Sequence, residues 1–181
     1  IGFTGREVLE VGGAIPPETA LALRPARWVA GYPGAEPLSF ASYERRDLDA
    51  RSLAFPDASF DVIFSSCAFE HINDFDRAVA EMRRVLRPGG AIVTHFAPIW
   101  SCAVGHHLWE TDADGRRVMF LDRVVPDFAH LLLTEAELRG YLELVFGAES
   151  AQRCTEYIVR HPCINRVFEG EFRRAFRAAG F

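Results

Sequence analysis

The sequence predicts an α/β fold with a mainly parallel sheet, and three neighbouring segments support this prediction. Residues 60–66 form a short apolar run rich in β-forming side chains, and residues 91–96 form another. Between them, apolar residues recur at the spacing of a helix with one buried face. A strand, a helical crossover and a second strand imply parallel pairing with a right-handed connection. The helical positions are Phe75, Ala78, Val79, Met82, Val85 and Leu86.

The ends of this predicted helix suit its dipole. Asn73 is expected to cap the first turn, and Arg83, Arg84 and Arg87 gather at the carboxyl end, where positive charge is stabilising. The Pro-Gly-Gly segment at 88–90 cannot continue the helix. Because open parallel sheets bind ligands at the carboxyl ends of their strands, we expect a site in the turn before this helix.

Three further strands and a glycine turn precede this unit. Residues 6–11 predict a buried strand that runs into two glycines and an alanine at 12–14. Residues 18–23 predict a short helix, and residues 27–32 and 43–48 predict the second and third strands. The glycine turn is either a place where a ligand approaches the backbone closely or a plain tight turn, and the residues alone favour neither.

Composition argues against several kinds of partner. The formal charge is −5 and there is no run of Lys or Arg, so we expect no nucleic-acid partner. No apolar run is long enough to cross a bilayer, so we expect a soluble chain with no membrane partner. The cysteines lack CxxC spacing, which predicts reduced thiols and a cytoplasmic location. They are Cys67, Cys102, Cys154 and Cys163.

Three segments resemble a known family. They are VLEVGGA at 8–14, DARSLAFPDASFDVIFSSCAFEHI at 49–72 and VLRPGGAIV at 85–93. These motifs are similar to those of the class I S-adenosylmethionine-dependent methyltransferases, in the branch called methyltransferase type 11. The resemblance covers roughly residues 7–98. It implies a Rossmann-like three-layer sandwich and S-adenosylmethionine as the cofactor.

The resemblance also implies a role for each matched residue. Glu10 and the backbone of Gly12 and Gly13 would lie against the methionine half of the cofactor. Asp49 would accept a hydrogen bond from the adenine amino group, with the Ala50 amide beside the ring. From the residues alone, Asp49 could instead simply cap a turn.

Three more positions would complete the pocket. Ser66 and Cys67 would line it, and His71 would lie near the sulfonium. Tyr32 stands where the family carries an acid that binds the ribose, so Glu36 would have to fold back to supply a carboxylate. A second departure is that Ala14 and Pro16 replace spaced glycines.

Residues 97–109 follow the last predicted strand, where substrate is expected. His106 or His107 has either a substrate role or a structural one, and Trp100 and Trp109 could line the pocket. A metal site needs three or four converging ligands, and we expect none here.

Helices dominate the rest of the predicted chain. Residues 112–115 predict a turn, residues 118–130 an irregular apolar lid, and Thr134 with Glu137 a capping box. The later expectations are a helix from the capping box to Gly147, a helix over 151–160, and a third capped by Asn165 that buries Phe168, Phe172 and Phe176.

The two ends of the chain raise a separate expectation. Ile1 is not an initiator residue, so we expect that a segment can precede it. Family members usually carry two further strands after a motif like Ala179-Gly180-Phe181, so we expect this fold to lack its last strands. Either the sequence is trimmed there, or the apolar edge at 91–96 is covered by a homodimer, another partner or the lid segment.

These features lead to two hypotheses of different classes. The first is a single methyltransferase-like domain over residues 1–181, with a cofactor-binding core at 1–98 and a substrate and lid region at 99–181. It would methylate an oxygen or nitrogen of a small molecule or glycan, with His71, His106 or His107 as base. The alternative is a non-catalytic binding or scaffold module with a degraded cofactor site. A nicotinamide oxidoreductase is disfavoured because its glycine fingerprint is missing.

Overall fold

The computed structural model describes residues 2–111 and 115–181, which fall into two units. The first unit comprises Ile1–Phe96 together with Phe172–Phe181, and the second comprises Ala97–Glu171. Residues 112–114, most of the turn predicted at 112–115, lie outside the described residues.

The first unit alternates strands and helices, as the sequence predicts. Its strands are β1 (Glu7–Val11), β2 (Arg27–Tyr32), β3 (Leu38–Phe40), β4 (Tyr43–Asp47), β5 (Phe60–Ser66) and β6 (Leu86–His95). Its helices are α1 (Pro17–Ala22), a 3-10 turn (Phe69–His71), α2 (Phe75–Val85) and most of α6 (Glu169–Ala178).

The strands form one sheet in the order β3-β4-β2-β1-β5-β6. Every neighbouring pair is parallel except β3 and β4, so the prediction of a mainly parallel, Rossmann-like sheet is confirmed. Strand β3 was not predicted, because its three residues are all exposed and show no alternation of buried and exposed positions. The parallel order brings the carboxyl ends of β1, β2, β4 and β5 to the same edge, which positions the candidate site.

Helix α2 buries the face that its spacing predicts, with Phe75, Val79 and Met82 all at most 4% exposed. Its ends differ from the prediction. The N-cap residue is Asp74, in a left-handed conformation with φ 53° and no side-chain capping bond, so the expected cap at Asn73 is wrong by one residue. Leu86 is already extended and pairs with Phe60, so the helix passes directly into β6.

The Pro-Gly-Gly segment therefore lies within β6 and does not separate it from the helix. The register runs from the pair Phe60 and Leu86 to the pair Val62 and Ala91, which marks an irregularity in the ladder. Pro88 has no N–H to donate, and Gly89 has a φ of 78°, so this part of the strand cannot pair regularly. Among the described residues β6 pairs with β5 alone, and the cover expected over its outer edge stays a prediction.

Arg84 joins α2 to the loop that precedes β5. Its guanidinium donates to the carbonyl oxygens of Leu53 and Phe55, each at 2.8 Å, and pairs with the carboxylates of Asp57 and Glu81 at 2.8 Å. The hydrogen bond from Arg84 holds the pKa of Glu81 below its usual range. Arg84 therefore fixes a loop by specific hydrogen bonds, in addition to suiting the helix dipole.

Glu10 anchors the centre of the sheet. The side chain is fully buried, and one carboxylate oxygen accepts from the Ile15 amide while the other accepts from Trp28 Nε1, each at 2.7 Å. The carboxylate therefore ties β1 to β2 and to the turn that follows β1. Burial raises the pKa of Glu10 above its ordinary value, although the bonds from Ile15 and Trp28 oppose that change.

The second unit contains a hairpin and three helices among its described residues. They are β7 (Trp109–Thr111), β8 (Arg117–Met119), a 3-10 turn (Phe120–Asp122), α3 (Ala129–Leu132), α4 (Glu135–Phe146) and α5 (Ala148–Arg160). The capping box is confirmed, since Thr134 Oγ1 accepts from the Glu137 amide and Glu137 accepts from the Thr134 amide. The segment expected to be irregular contains part of the hairpin and α3, and α5 begins three residues earlier than predicted.

The predicted aromatic stripe of the last helix is partly wrong. Phe168 lies before α6 and is 44% exposed, because the helix begins one residue later, at Glu169. Asn165 accepts from the Val167 amide and does not cap the helix itself. Phe172 is buried and packs on Phe75 with ring centroids 4.7 Å apart, as a core residue should. No helix in the described part of the chain combines the length and apolar character that a membrane span needs.

Replacing Arg84 with Ala is expected to lower the free energy of unfolding by about 2 kcal/mol, because several charge-assisted hydrogen bonds are lost together. Arg83→Ala on the same helix is the matched control; that side chain is exposed, and the expected change is below about 0.5 kcal/mol. Urea unfolding followed by circular dichroism measures both. Equal losses in the two variants would contradict the role of Arg84.

Glu10→Gln tests the cost of the buried carboxylate. A carboxyl whose pKa is raised by folding binds more protons in the folded state, so stability falls as pH rises above its ordinary pKa of 4.5. The free energy of unfolding of the wild type, measured relative to Glu10→Gln, should therefore decrease from pH 4.5 upward. Exposed Glu18→Gln should show no such trend. A difference that increases with pH would overturn the assignment.

Candidate functional site

A cavity of about 460 Å³ opens at the carboxyl ends of β1, β2, β4 and β5. Its walls come from the turns that follow these four strands, all within the first unit. The lining residues are Val11, Gly12, Gly31, Tyr32, Pro33, Leu48, Asp49, Ala50, Arg51, Cys67, Ala68, His71, Ile72 and Asn73. The site expected in the turn before α2 therefore coincides with one wall of this cavity.

The glycine turn after β1 is shaped by close packing. Gly12 has a φ of 113°, and a Cβ at this position would lie 2.6 Å from the Cβ of Ala68. A Cβ on Gly13 would lie 2.9 Å from the ring of Tyr32. A larger residue at Gly12 would both strain the backbone and enter the space between the turns after β1 and β5. Gly12 lines the cavity, so a ligand there could contact its backbone directly.

Glu10 supports this turn from behind. Both of its oxygens are used by Ile15 and Trp28, and the residue is not among those that line the cavity. The structure thus places Glu10 and Asp49 differently: Asp49 is on the wall, whereas Glu10 holds the loop that shapes the wall. A direct contact between Glu10 and a cofactor stays a prediction.

Asp49 is an ionised carboxylate held by its neighbour. The Asp49 carboxylate accepts from Arg51 Nη2 at 2.8 Å and from the Arg51 amide at 2.9 Å. The hydrogen bond from the Arg51 side chain holds the pKa of Asp49 below its usual range. The turn-capping alternative is therefore present in the structure, and Asp49 and buried Ala50 both line the cavity.

The residues that depart from the family pattern leave the cavity open. Tyr32 lies on its rim, is 40% exposed and contacts the position of Gly13. Pro16 precedes α1 as its N-cap residue and is not among the lining residues. Glu36 is exposed, and its carbonyl oxygen accepts from Arg45 Nε at 2.9 Å. Glu36 is not among the residues that line the cavity.

The turn after β5 contributes two of its three predicted residues. Cys67, with a φ of 51°, and His71 line the cavity, and both are exposed. Ser66 is partly buried at the end of β5, and its Oγ lies 3.9 Å from the Cys67 sulfur. Ser66 thus supports Cys67 and is not itself a lining residue.

His106 and His107 belong to the second unit and are buried, at 1% and 5% exposure. His106 Nδ1 accepts from the Leu108 amide at 3.1 Å, which leaves its proton on Nε2 when the ring is neutral. Burial, with the nearby His130 and His107, lowers the pKa of His106 to about 4. His107 Nδ1 lies 2.8 Å from the Gly105 carbonyl, so it donates there and its lone pair is on Nε2.

Several cavity residues were not singled out by the sequence analysis. The lining residues that were not predicted as such are Val11, Gly31, Pro33, Leu48, Arg51, Ala68, Ile72 and Asn73. The signal that could have identified them is their position, since each lies at or just after the carboxyl end of a predicted strand. Arg51 is the most informative of these, because its partner Asp49 was already a candidate.

Comparison with known proteins supports the family suggested by the motifs. Residues 32–94 match the family model described as "Methyltransferase domain". A ubiquinone/menaquinone biosynthesis C-methyltransferase from Ralstonia pickettii is 43% identical over 53 residues, 29% of this chain and 22% of that protein. A phosphatidylethanolamine N-methyltransferase from Cereibacter sphaeroides is 42% identical over 66 residues, 35% of this chain and 30% of that protein. The matches thus span less than a third of the length of these relatives.

Solved structures agree on the fold. An S-adenosylmethionine-dependent methyltransferase from Mesorhizobium loti has a TM-score of 0.61 at 18% identity, covering 100% of this chain and 76% of that one. A phosphoethanolamine N-methyltransferase from Haemonchus contortus, solved with S-adenosylhomocysteine, has a TM-score of 0.54 at 16% identity, covering 100% and 34%.

The sheet, the cavity at its carboxyl edge and the matched segment point to the same family. The chain is therefore similar to the class I S-adenosylmethionine-dependent methyltransferases of the type 11 branch, in its matched segment at residues 32–94 and in its fold.

Proposed function

We propose that this chain binds S-adenosylmethionine in the first-unit cavity and serves a methyl transfer to a small molecule. The observation that supports the proposal most strongly is the cavity itself, which lies at the carboxyl edge of the parallel sheet with an ionised Asp49 on its wall. Its volume of about 460 Å³ is within the usual range for small-molecule sites.

The residues present fit this cofactor. A carboxylate such as that of Asp49 can accept from an exocyclic amino group, and Ala50 lines the cavity next to it. Gly12, without a side chain, allows the polar end of a ligand to approach the backbone closely. Tyr32 presents an aromatic ring and a hydroxyl at the rim, where it can contact the ribose in place of the missing acid.

For methyl transfer the protein has mainly to position the cofactor and the acceptor. S-adenosylmethionine, when bound, supplies a methyl group on a sulfonium that is transferred by in-line displacement. The chain contributes orientation through the walls of the cavity, and a base if the acceptor must lose a proton. Of the three candidate histidines, His71 suits this role best, because it is exposed on the cavity wall. His106 is less suited, since its lone pair already accepts from Leu108.

For the acceptor we propose a nitrogen or oxygen of a small molecule or glycan, with nitrogen favoured. The support is the similarity to an N-methyltransferase over the longer of the two aligned stretches. The C-methyltransferase relative makes a carbon acceptor the main competing outcome. An acceptor screen with amines, alcohols, phenols and glycans, read out as S-adenosylhomocysteine formation, distinguishes these possibilities.

The alternative function is a non-catalytic binding or scaffold module. The observations in its favour are Pro16 and Tyr32, which depart from the family pattern. Against it, Tyr32 lies at the rim of an open cavity and Pro16 is not among the lining residues.

Calorimetric titration with S-adenosylmethionine and S-adenosylhomocysteine should give saturable heat for both. Asp49→Asn is expected to weaken binding about tenfold, because a charge-assisted hydrogen bond is lost. Asp57→Asn removes the same charge from a side chain that is 78% exposed outside the cavity, and should leave affinity unchanged. Absence of heat together with absence of thermal stabilisation would favour the scaffold module.

His71→Gln is expected to lower the rate of methyl transfer about a hundredfold while cofactor affinity changes less than about twofold. The reason is that Gln preserves size and polarity but cannot take up a proton near neutral pH. His106→Gln serves as the comparison, and its cofactor affinity should also be unchanged. If His106→Gln abolishes turnover and His71→Gln does not, the assignment of the base to His71 is wrong.

A further inference from the structure

The turn after α5 brings a thiol next to an imidazole. Cys163 Sγ lies 2.8 Å from His161 Nδ1, and the Cys163 amide donates to the same nitrogen at 3.3 Å. Because Nδ1 accepts, the proton of neutral His161 is on Nε2 and the Nδ1 lone pair faces the sulfur. A nucleophile and a base within hydrogen-bond reach form the arrangement that activates a cysteine. Neither residue contributes to the cavity of the first unit.

Tyr157 orients this pair. Its ring stacks on the ring of His161 with centroids 5.0 Å apart and planes at 27°, and its hydroxyl lies 3.6 Å from Cys163 Sγ. Burial, followed by the bond with Cys163, raises the pKa of Tyr157, so the hydroxyl stays protonated. It can therefore donate to a sulfur that has become negative. The imidazole is held by stacking, and the sulfur has a second polar neighbour.

A positive charge completes the environment. Arg166 donates to the carbonyl oxygens of Ile158, His161 and Ile164, which holds its guanidinium under this turn. Burial lowers the pKa of Arg166, and its interaction with negative charge on Cys163 opposes that change. Reactive cysteines are found in such electropositive, partly exposed surroundings.

A surface cavity lies beside this pair. It has a volume of about 620 Å³ and is lined in part by Tyr157, His161 and Pro162. Cys163 is not among its lining residues, but Cys163 is partly exposed. The remaining walls carry both signs of charge, since Arg160 pairs with Glu135 and the other polar residues are Gln152, Arg153 and Glu156.

We propose that Cys163 is a reactive thiol that exchanges with low-molecular-weight disulfides, with His161 accepting its proton. The Cys163 sulfur attacks one sulfur of the disulfide, a new S–S bond forms, and the original S–S bond breaks. The departing thiolate takes up a proton, so Cys163 is oxidised and the departing half is reduced. The modification would sit on the surface of the second unit.

The other cysteines provide internal comparisons. Cys154 is 1% exposed, bonds to Glu110, and burial raises its pKa to about 12, so it should be unreactive. Cys67 is exposed, and its sulfur accepts from the Ser66 hydroxyl at 3.9 Å. If exposure alone decided reactivity, Cys67 would be the most reactive thiol. If His161 activates its neighbour, Cys163 is the most reactive thiol.

The test uses the full chain and glutathione disulfide at neutral pH, with modified peptides quantified by mass spectrometry over time. We expect Cys163 to be modified at least about tenfold faster than Cys67, and Cys154 not at all. Modification of Cys67 at the same rate as Cys163, or faster, overturns the proposal. This comparison needs no variant, so it does not depend on the folding of one.

His161→Gln separates activation from structure. Gln keeps an acceptor for the Cys163 amide but cannot hold a proton, so the Cys163 rate should fall about tenfold while the Cys67 rate is unchanged. Added free imidazole should then restore part of the Cys163 rate, which a purely structural role of His161 would not allow. Tyr157→Phe keeps the stacked ring and should lower the Cys163 rate by a smaller factor. An unchanged Cys163 rate in His161→Gln would falsify the role of the imidazole.

Discussion

The structure of the first unit depends on one buried carboxylate. Glu10 has no exposed surface, yet both of its oxygens accept hydrogen bonds, one from the indole of Trp28 and one from the amide of Ile15. Burying a charge is costly unless it is hydrogen-bonded, and these two donors offset much of that cost. These bonds hold β1 against β2 and fix the turn after β1 to both strands. That turn carries Gly12, so the shape of the cavity follows from a group that does not line it.

The remaining walls are fixed by local hydrogen bonds and close packing. Arg51 holds Asp49, and Arg84 ties the loop before β5 to α2 through the carbonyl oxygens of Leu53 and Phe55. The turns after β1 and β5 pack closely, because a Cβ added at Gly12 would lie only 2.6 Å from the Cβ of Ala68. A cavity held in this way is pre-formed, so little ordering would be required when a ligand binds.

The second unit has its own apolar core and a separate cluster of polar side chains. Its helices bury a separate apolar core, and the turn after α5 places Cys163, His161 and Tyr157 together at the surface. The sequence predicted reduced thiols for the cysteines, and in this region it indicated a substrate or structural role for His106 or His107. The structure instead buries both of those histidines and leaves His161 exposed beside a thiol. Cys163 and His161 meet across a turn, and Tyr157 lies one helical turn before His161. Such an arrangement produces no periodic pattern in the sequence.

The sequence by itself determined five of the six strands of the main sheet, the α2 helix and the edge of the sheet where a ligand would bind, because periodic burial and the crossover rule are local properties. It also identified Asp49, Tyr32, Cys67 and His71, which the structure places on one cavity. Only the tertiary structure decided that Glu10 and Ser66 stand behind the wall, that Arg51 holds Asp49, and that Phe168 precedes its helix. Those outcomes depend on which donor or surface meets each side chain in three dimensions, and residues far apart in the chain supply them.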